Sequence, residues 1–158
     1  MPSPYIPETL KELTNCFDNE DGWHPALRCL LDDFYVAPLS VKQNMIAEEP
    51  ALMPDDFFNA YVAAVAEHLA WDYRLEVPAW CCKKERFLRL PVFTDGLETA
   101  KMHLVMVSPS AFRRRMIFTG GDPLCRPLKY GKTLMEDDTA PPGRFPIHST
   151  LPVPRPCA

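Results

Sequence analysis

Three consecutive arginines are the residues of this chain that could do the most chemistry. Arg113, Arg114 and Arg115 follow Phe112 and precede an apolar segment, shortly before two adjacent glycines. A guanidinium group binds a carboxylate or a phosphate through two parallel hydrogen bonds. Successive residues of a helix are rotated by about 100°, so the three arginines cannot share one surface and one is expected to face inward. The run therefore predicts either an ion-pair cluster within the protein or a site for an anionic partner.

Charge is distributed unevenly along the chain. Residues 1–75 carry 4 basic and 13 acidic side chains, whereas residues 76–158 carry 13 basic and 8 acidic ones. The sequence pI near 5.5 is far below the range that is typical of nucleic-acid-binding domains. We therefore favour internal pairing of the arginines, with an exposed cationic patch as the alternative. The candidate internal partners are carboxylates of the acidic half, such as Asp32, Asp33, Asp55, Asp56 and Asp72.

The chain contains residue types that can act in catalysis, but their spacing matches no known catalytic motif. Glu67 and His68 stand side by side in a predicted helix, and no second histidine follows at the spacing that a zinc protease requires. His68 is therefore expected to have a structural role. Cys81 or Cys82 would form a nucleophilic pair with His103 only if the fold brought them together. We predict that the chain is not an enzyme and holds no metal or other cofactor.

Length and composition predict one globular domain. The chain has 158 residues, of which 47% are hydrophobic and 24% charged, and these values are typical of a protein with its own core. No apolar run is long enough for a membrane span, and the first residues lack the pattern of a signal peptide. We therefore predict a cytoplasmic protein in which the six cysteines are reduced thiols.

Prolines and apolar spacing divide the chain into helical segments. The strongest signal is a long central helix over residues 55–73, where Asp55 and Asp56 suit the positive end of the helix dipole. The connection that follows is expected to bury Trp80. Shorter helices are predicted over residues 7–18, 23–37, 40–49 and 83–89, with a packed turn at residues 91–93.

Two segments carry more specific expectations about helix ends. Ser40 and Gln43 have the spacing of a capping box at the start of the 40–49 helix. Residues 97–107 form an almost continuous apolar run that fits either a helix or a strand. We favour a helix, because Ser108 and Pro109 then serve as the cap and the first residue of the next helix.

Together these elements predict a mainly α fold. It is a compact single-domain bundle of short helices around one long central helix, with an irregular, proline-rich C-terminal tail. The expected organisation is an acidic helical segment over residues 1–54, packed on a core over residues 55–126, and a tail over residues 127–158. Residues 136–158 contain six prolines and little periodic apolar content, so we expect this part to be extended or mobile and leave open whether it orders on binding.

Several short motifs give the chain a family resemblance. They are Glu67–Ala70, Val77–Trp80, Phe87–Leu88, Pro91–Phe93 and Ser108–Phe118. This set spans about residues 55–126 and resembles a bacterial domain of the antitoxin type, which is encoded beside nucleotidyltransferase-like toxins of the abortive-infection class. Such domains also occur behind helix-turn-helix modules. Residues 1–54 show no DNA-recognition helix, and the chain lacks the Gly-Ser and paired aspartates that would make it the nucleotidyltransferase itself.

The residues and the resemblance together predict a non-catalytic bacterial protein-binding module of the antitoxin type. Its partner is expected to be another protein whose acidic or nucleotide-binding cleft it covers, and we expect no interaction with a membrane. Arg113, Arg114 and Arg115 would steer the encounter, with Phe112 and Trp80 as anchors if they are exposed. Two alternatives stay open: a regulator that binds nucleic acid through the basic half, and a small enzyme built on the glutamate–histidine pair and a cysteine.

Overall fold

The computed structural model describes residues 5–18 and 21–130. Within these residues the protein is compact and mainly helical, as the sequence predicts, with one short pair of strands. The α-helices are α1 (His24–Val36), α2 (Leu39–Ala47), α3 (Asp56–Asp72), α4 (Glu98–Val107), α5 (Ser110–Arg113) and α6 (Pro127–Tyr130). Short 3-10 helices span Leu10–Cys16, Ala79–Cys82 and Lys84–Arg86, and the strands are β1 (Val92–Phe93) and β2 (Ile117–Phe118).

Helix α3 is the longest of the described elements, and most of its residues are buried. The Asp55 side chain caps its first turn by accepting a hydrogen bond from the Phe57 amide at 2.9 Å. Asp56 then places a negative charge at the positive end of the helix dipole. Many of the buried residues are alanine or valine, whose small side chains allow neighbouring elements to approach closely. Helices α2 and α5 and the 3-10 helices at Ala79–Cys82 and Lys84–Arg86 pack against α3.

Aromatic contacts join the acidic amino-terminal segment to α3. The Trp23 and Phe17 rings both pack edge-on against Phe58, with ring centres 5.1 and 5.2 Å away. The Tyr35 hydroxyl on α1 donates a hydrogen bond to the Leu124 carbonyl at 2.6 Å. The amino-terminal helices therefore share one hydrophobic core with α3.

Residues 92–93 form a strand, so the predicted packed turn is wrong. Strand β1 runs parallel to β2, with Val92 opposite Ile117 and Phe93 opposite Phe118. The two phenylalanine rings stack with centres 4.9 Å apart. Two residues are too few to show the alternation of apolar and polar side chains that identifies a strand in sequence.

The capping box predicted for the second α-helix is also wrong, although the helix itself is present. Helix α2 begins at Leu39 with Pro38 before it, so Ser40 lies inside the helix. Gln43 instead joins α2 to the chain after α3, because its side-chain amide exchanges two hydrogen bonds with the Glu76 backbone. A long-range contact has taken the place of the expected local one.

Residues 98–107 form helix α4, which confirms the helical interpretation of the apolar run. Ser108 does not cap the next helix, however, and α5 begins after Pro109. The buried Ser108 hydroxyl donates to the Leu104 carbonyl and accepts a hydrogen bond from the Thr119 amide at 2.9 Å. It therefore fixes the end of α4 to the residue that follows β2.

Two short segments coil more tightly than predicted. Residues 7–18 contain the 3-10 helix Leu10–Cys16, and residues 83–89 contain the 3-10 helix Lys84–Arg86. Helices of 3.0 and 3.6 residues per turn give similar apolar spacing over one or two turns. The sequence pattern therefore locates these turns but does not distinguish their type.

The predicted tail spans residues 127–158. Its first four residues form α6, whereas residues 131–158, including the proline-rich part over residues 136–158, lie outside the described residues. The segment just before α6 is tied to the body of the protein, because Arg126 donates two hydrogen bonds to the Asp32 carboxylate. In the described part of the chain, none of the helices combines the length and the apolar composition needed to cross a bilayer.

Removal of the α3 cap is expected to lower the free energy of unfolding by about 1 kcal/mol, because the Phe57 amide loses its acceptor. The Asp55→Ala variant tests this by urea denaturation. Asp56→Ala is the matched control, since its exposed carboxylate contributes only a dipole interaction of about 0.3 kcal/mol. Equal losses in the two variants would assign the effect to charge and contradict a role for the cap.

Candidate functional site

The three arginines differ sharply in exposure. Helix α5 ends at Arg113, the chain turns through the next two residues, and Met116 adopts a left-handed φ of 62° before β2 begins. Arg113 is exposed and Arg114 is partly exposed, whereas Arg115 is 0% exposed. The prediction that one arginine faces inward is therefore confirmed, and that residue is Arg115.

Glu67 on α3 holds both of the inner arginines. Its Oε1 accepts a hydrogen bond from Arg114 Nη1 at 2.7 Å, and its Oε2 accepts one from Arg115 Nη1. Glu67 is only 1% exposed, so its pair with Arg115 is closed to water. Such a pair offsets the cost of removing two charges from water only through close contact and additional hydrogen bonds.

Pairing with carboxylates of the acidic half is confirmed for the inner two arginines, but their partner is Glu67 and none of the five aspartates given as candidates. Asp32 pairs with Arg126, whose side-chain hydrogen bond holds the pKa of that carboxyl below its ordinary value. Asp72 lies 3.4 Å from His68 Nε2, and Asp55 caps α3. Asp33 and Asp56 are exposed and have no ion-pair partner among the described residues.

Arg115 fixes two other elements against α3. Besides Glu67, its Nη1 donates to the Ala111 carbonyl and its Nη2 to the Cys81 carbonyl, each at 2.8 Å. The guanidinium carbon lies 4.8 Å from the centre of the Phe87 ring. Burial lowers the pKa of Arg115 and the Glu67 carboxylate opposes that change, so the side chain remains a cation. One side chain thus joins α5, α3 and the segment that follows α3.

A second buried arginine was missed by sequence reasoning. Arg86 is 0% exposed; its Nη2 donates to the Pro50 carbonyl and, at 3.2 Å, to Glu49 Oε1. Its guanidinium carbon lies 5.1 Å from the Trp80 ring centre. No local signal separates Arg86 from the exposed Arg89, because burial depends on how the segment packs and not on its composition.

The two predicted anchors, Trp80 and Phe112, are buried in this conformation. The Trp80 indole nitrogen donates to the Ala47 carbonyl at 3.2 Å, which ties it to the end of α2. The Phe112 ring packs edge-on against a tyrosine of α3 at 5.3 Å. The part of the arginine site that a partner can reach therefore consists of Arg113 and the outer part of Arg114.

The residues considered for catalysis differ in exposure, and no contact joins Cys81 to His103 in the described part of the chain. The Cys81 thiol is buried, and burial raises its pKa to about 12, so it is protonated at neutral pH. Burial also lowers the pKa of His68, while His103 lies exposed on α4. Within the described residues, no three histidine, cysteine, aspartate or glutamate side chains are grouped as a metal site requires.

The cysteines are not all in the expected state. Cys16, Cys29, Cys81 and Cys125 are free thiols, as predicted, with Cys16 and Cys81 buried and the other two exposed. Cys82 takes part in a disulfide, so the prediction of a reduced thiol is wrong at that position.

The exposed edge of the arginine site continues into a second basic segment. The Arg114 guanidinium carbon lies 5.4 Å from the centre of the Phe87 ring. Lys84 and Arg89, on either side of that phenylalanine in sequence, are both exposed. Exposed cations attract an anionic surface, whereas the buried pair of Arg115 and Glu67 holds elements of the fold in position.

Comparisons with models of protein families, with curated proteins and with solved structures found no match to this chain. The resemblance to antitoxin-type proteins therefore stays a prediction from short sequence motifs. Support for a function has to come from the geometry of the described residues.

Replacement of Glu67 by glutamine is expected to lower the free energy of unfolding by about 3–5 kcal/mol, because Arg115 is left as a buried charge without a counter-ion. Urea denaturation measures the change. Arg113→Ala is the control, since Arg113 is exposed and has no ion-pair partner among the described residues, and its effect should stay below about 0.5 kcal/mol. A Glu67→Gln effect as small as that of the control would contradict the assigned role of the buried pair.

Alkylation of the folded protein tests the burial of the free thiols. At about pH 8, iodoacetamide should modify Cys29 and Cys125 and leave Cys16 and Cys81 unmodified. The raised pKa of Cys81, about 12, leaves almost no thiolate there to react. Peptide mass spectrometry measures each site, and the same reaction in urea is the control in which all four should react. Equal rates at Cys81 and Cys29 in the folded protein would show that Cys81 is accessible.

Proposed function

We propose that this protein is a non-catalytic bacterial protein-binding module of the antitoxin type, which acts by covering a surface of another protein. The observation that carries the proposal is the exposed apolar face of α4. Met102, Val105 and Met106 recur at helical spacing and so share one face. Met102 and Met106 are each 72% exposed, which means that this face is turned to solvent.

Helix α4 contributes little to the core of its own protein. Among its ten residues, all of which the structure describes, Leu104 is the only buried one. A surface helix ordinarily turns its apolar stripe toward the core. Here the stripe points outward, and Leu97, just before the helix, is also largely exposed. Exposed apolar surface of this kind is typical of an interaction site, and methionine side chains adapt readily to the shape of a partner.

The exposed arginines supply positive charge on the chain that follows this helix. Helix α5 follows α4 after two residues, and β2 packs against both helices. Arg113 is therefore carried on an element adjacent to α4, with the partly exposed Arg114 beside it. Cations at the edge of an apolar interface accelerate the encounter with an acidic surface and disfavour a basic one. The partner that fits this surface has an apolar patch bordered by carboxylates.

The resemblance to antitoxin-type proteins suggests a toxin as the partner that this surface binds. A nucleotidyltransferase-like toxin has an acidic, nucleotide-binding cleft, and α4 together with Arg113 would occlude such a cleft by binding across its rim. Occlusion requires binding alone, with no bond made or broken by this chain. It is therefore compatible with a buried, protonated Cys81 and with the use of Glu67 as a counter-ion.

Nucleic-acid binding is the second candidate, and exposed Lys84, Arg89 and Arg113 favour it. Contacts to phosphates release counter-ions, so the affinity for nucleic acid would fall steeply as salt rises. The apolar face of α4 would not contribute to contacts with phosphates. Salt dependence and the response to substitutions on α4 therefore separate the two candidates.

Positive charge placed on the α4 face is expected to weaken binding to the partner protein by about tenfold or more, because a lysine ammonium group resists transfer into an apolar interface. The Met102→Lys/Met106→Lys variant tests this by calorimetric titration with the protein encoded beside this gene. Arg113→Ala should lower the association rate, chiefly at low salt.

Leu52→Lys is the matched control for the α4 variant, because Leu52 is an equally apolar, exposed residue that lies between α2 and α3. Its affinity for the partner should equal that of the wild type. Unchanged affinity in the α4 variant would contradict the proposal. Binding of duplex DNA that weakens steeply with salt and ignores the α4 substitutions would favour the second candidate.

A further inference from the structure

A second apolar surface lies in the acidic amino-terminal half of the protein. A groove of about 450 Å³ runs between α1, α2 and the residues that precede the first 3-10 helix. Val36, Val41 and Met45 are among the apolar residues that line it. Val36 is 51% exposed and Val41 is 43% exposed, so this lining is open to solvent. Ligand sites commonly have volumes of roughly 300–1,000 Å³, so the groove is large enough to accept apolar side chains from another molecule.

The edge of this groove is negatively charged. Glu8 and Asp33 border it, and both are exposed. Neither carboxylate has an ion-pair partner among the described residues. Helix α1 also ends here at Val36, and the carboxyl end of a helix carries partial negative charge. Two unpaired carboxylates and a helix end therefore surround an apolar lining.

The neighbouring cations do not neutralise the two carboxylates. Lys42 on α2 is buried and donates a hydrogen bond to the Ala37 carbonyl at 2.6 Å, so its charge is directed to the end of α1. Its ammonium group also lies 4.8 Å from the centre of a tyrosine ring, on the inner side of α2. Lys11, on the first 3-10 helix, is paired with Glu48. The groove thus keeps its negative edge in the folded protein.

We infer that this groove binds a segment of a partner protein in which an apolar anchor stands next to lysine or arginine. The apolar lining accepts the anchor, and the Glu8 and Asp33 carboxylates accept the cation. Charge complementarity selects this occupant over an acidic segment, which the two carboxylates repel. The charge preference is opposite to that of the surface formed by α4 and Arg113. The two surfaces therefore bind different segments, and either can fail without the other.

Binding of an amphipathic peptide of leucine and lysine tests the inference directly. The full chain is titrated into the fluorescein-labelled peptide, and fluorescence anisotropy gives the dissociation constant. We expect Asp33→Lys and Val41→Ser each to weaken binding by about tenfold or more, because one reverses the charge at the edge and the other removes apolar lining. A peptide with glutamate in place of lysine should bind more weakly than the lysine peptide by a similar factor.

Matched substitutions outside the groove are the controls. Glu85→Lys makes the same kind of charge change at an exposed residue of a 3-10 helix, and Leu52→Ser makes the same apolar-to-polar change between α2 and α3, outside both surfaces. Both should leave the dissociation constant of the lysine peptide unchanged. Methyl NMR spectra should show that the peptide shifts the signals of Val36, Val41 and Met45 and spares those of Met102 and Met106.

Several outcomes would overturn the inference. Equal weakening by Asp33→Lys and Glu85→Lys would show non-specific attraction between opposite charges, and no effect of Val41→Ser would remove the apolar lining from the contact. Methyl shifts confined to α4 would place the peptide at the other surface. A doubled molecular mass in light scattering, abolished by Val41→Ser, would make a second copy of this chain the occupant in place of a different protein.

Discussion

The carboxylate of Glu67 is the counter-charge that allows two arginines to approach the interior of this protein. Without it, the Arg115 guanidinium would be an isolated cation in a region that water does not reach. With it, Arg115 can hold α5 and the segment around Cys81 and Phe87 in place through carbonyl and ring contacts. Positions of elements far apart in sequence therefore depend on a single ion pair.

The arginine run divides into parts with different physical roles. Arg115 is a structural cation, and Arg114 bridges the interior and the surface by contacting both Glu67 and the Phe87 ring. Arg113 is exposed and remains available to another molecule. The end of α5 and the turn that follows it produce this division, because the three successive side chains point in different directions. A polybasic run in a compact domain is thus a poor measure of the size of a binding surface.

Helices were the part of the fold that the sequence predicted best. Apolar spacing located α1 and α3, and Asp55 caps α3 at the predicted end. Helix α4 is also present, but it was favoured over a strand because of a cap at Ser108 that the structure does not contain. Local signals failed where a long-range contact replaced a local one, as in the hydrogen bonds of Gln43 to Glu76 and of Ser108 to Thr119. The strands were missed for a related reason. Each has only two residues, which is too short to show the alternation of apolar and polar side chains, and the two strands lie far apart along the chain.

The site was predicted less completely than the fold. An inward arginine follows from helix geometry, but its partner does not, because Arg115 and Glu67 are distant in sequence and many carboxylates compete for the role. In the sequence, Glu67 is notable only as a neighbour of His68. Its role as a counter-ion depends on the packing of α5 on α3, which the sequence does not reveal. The burial of Arg86 could not be predicted from the sequence either, because Arg89, three residues later, has the same side chain and is exposed.

The sparse attachment of α4 has a consequence for its motion. Leu104, the Ser108 hydroxyl and the contact with β2 hold this helix to the body, so detaching it exposes little apolar area. Elements with few buried contacts open in sub-global fluctuations whose free energy is well below that of complete unfolding. Helix α4 is therefore expected to open at a lower free energy than the core around α3.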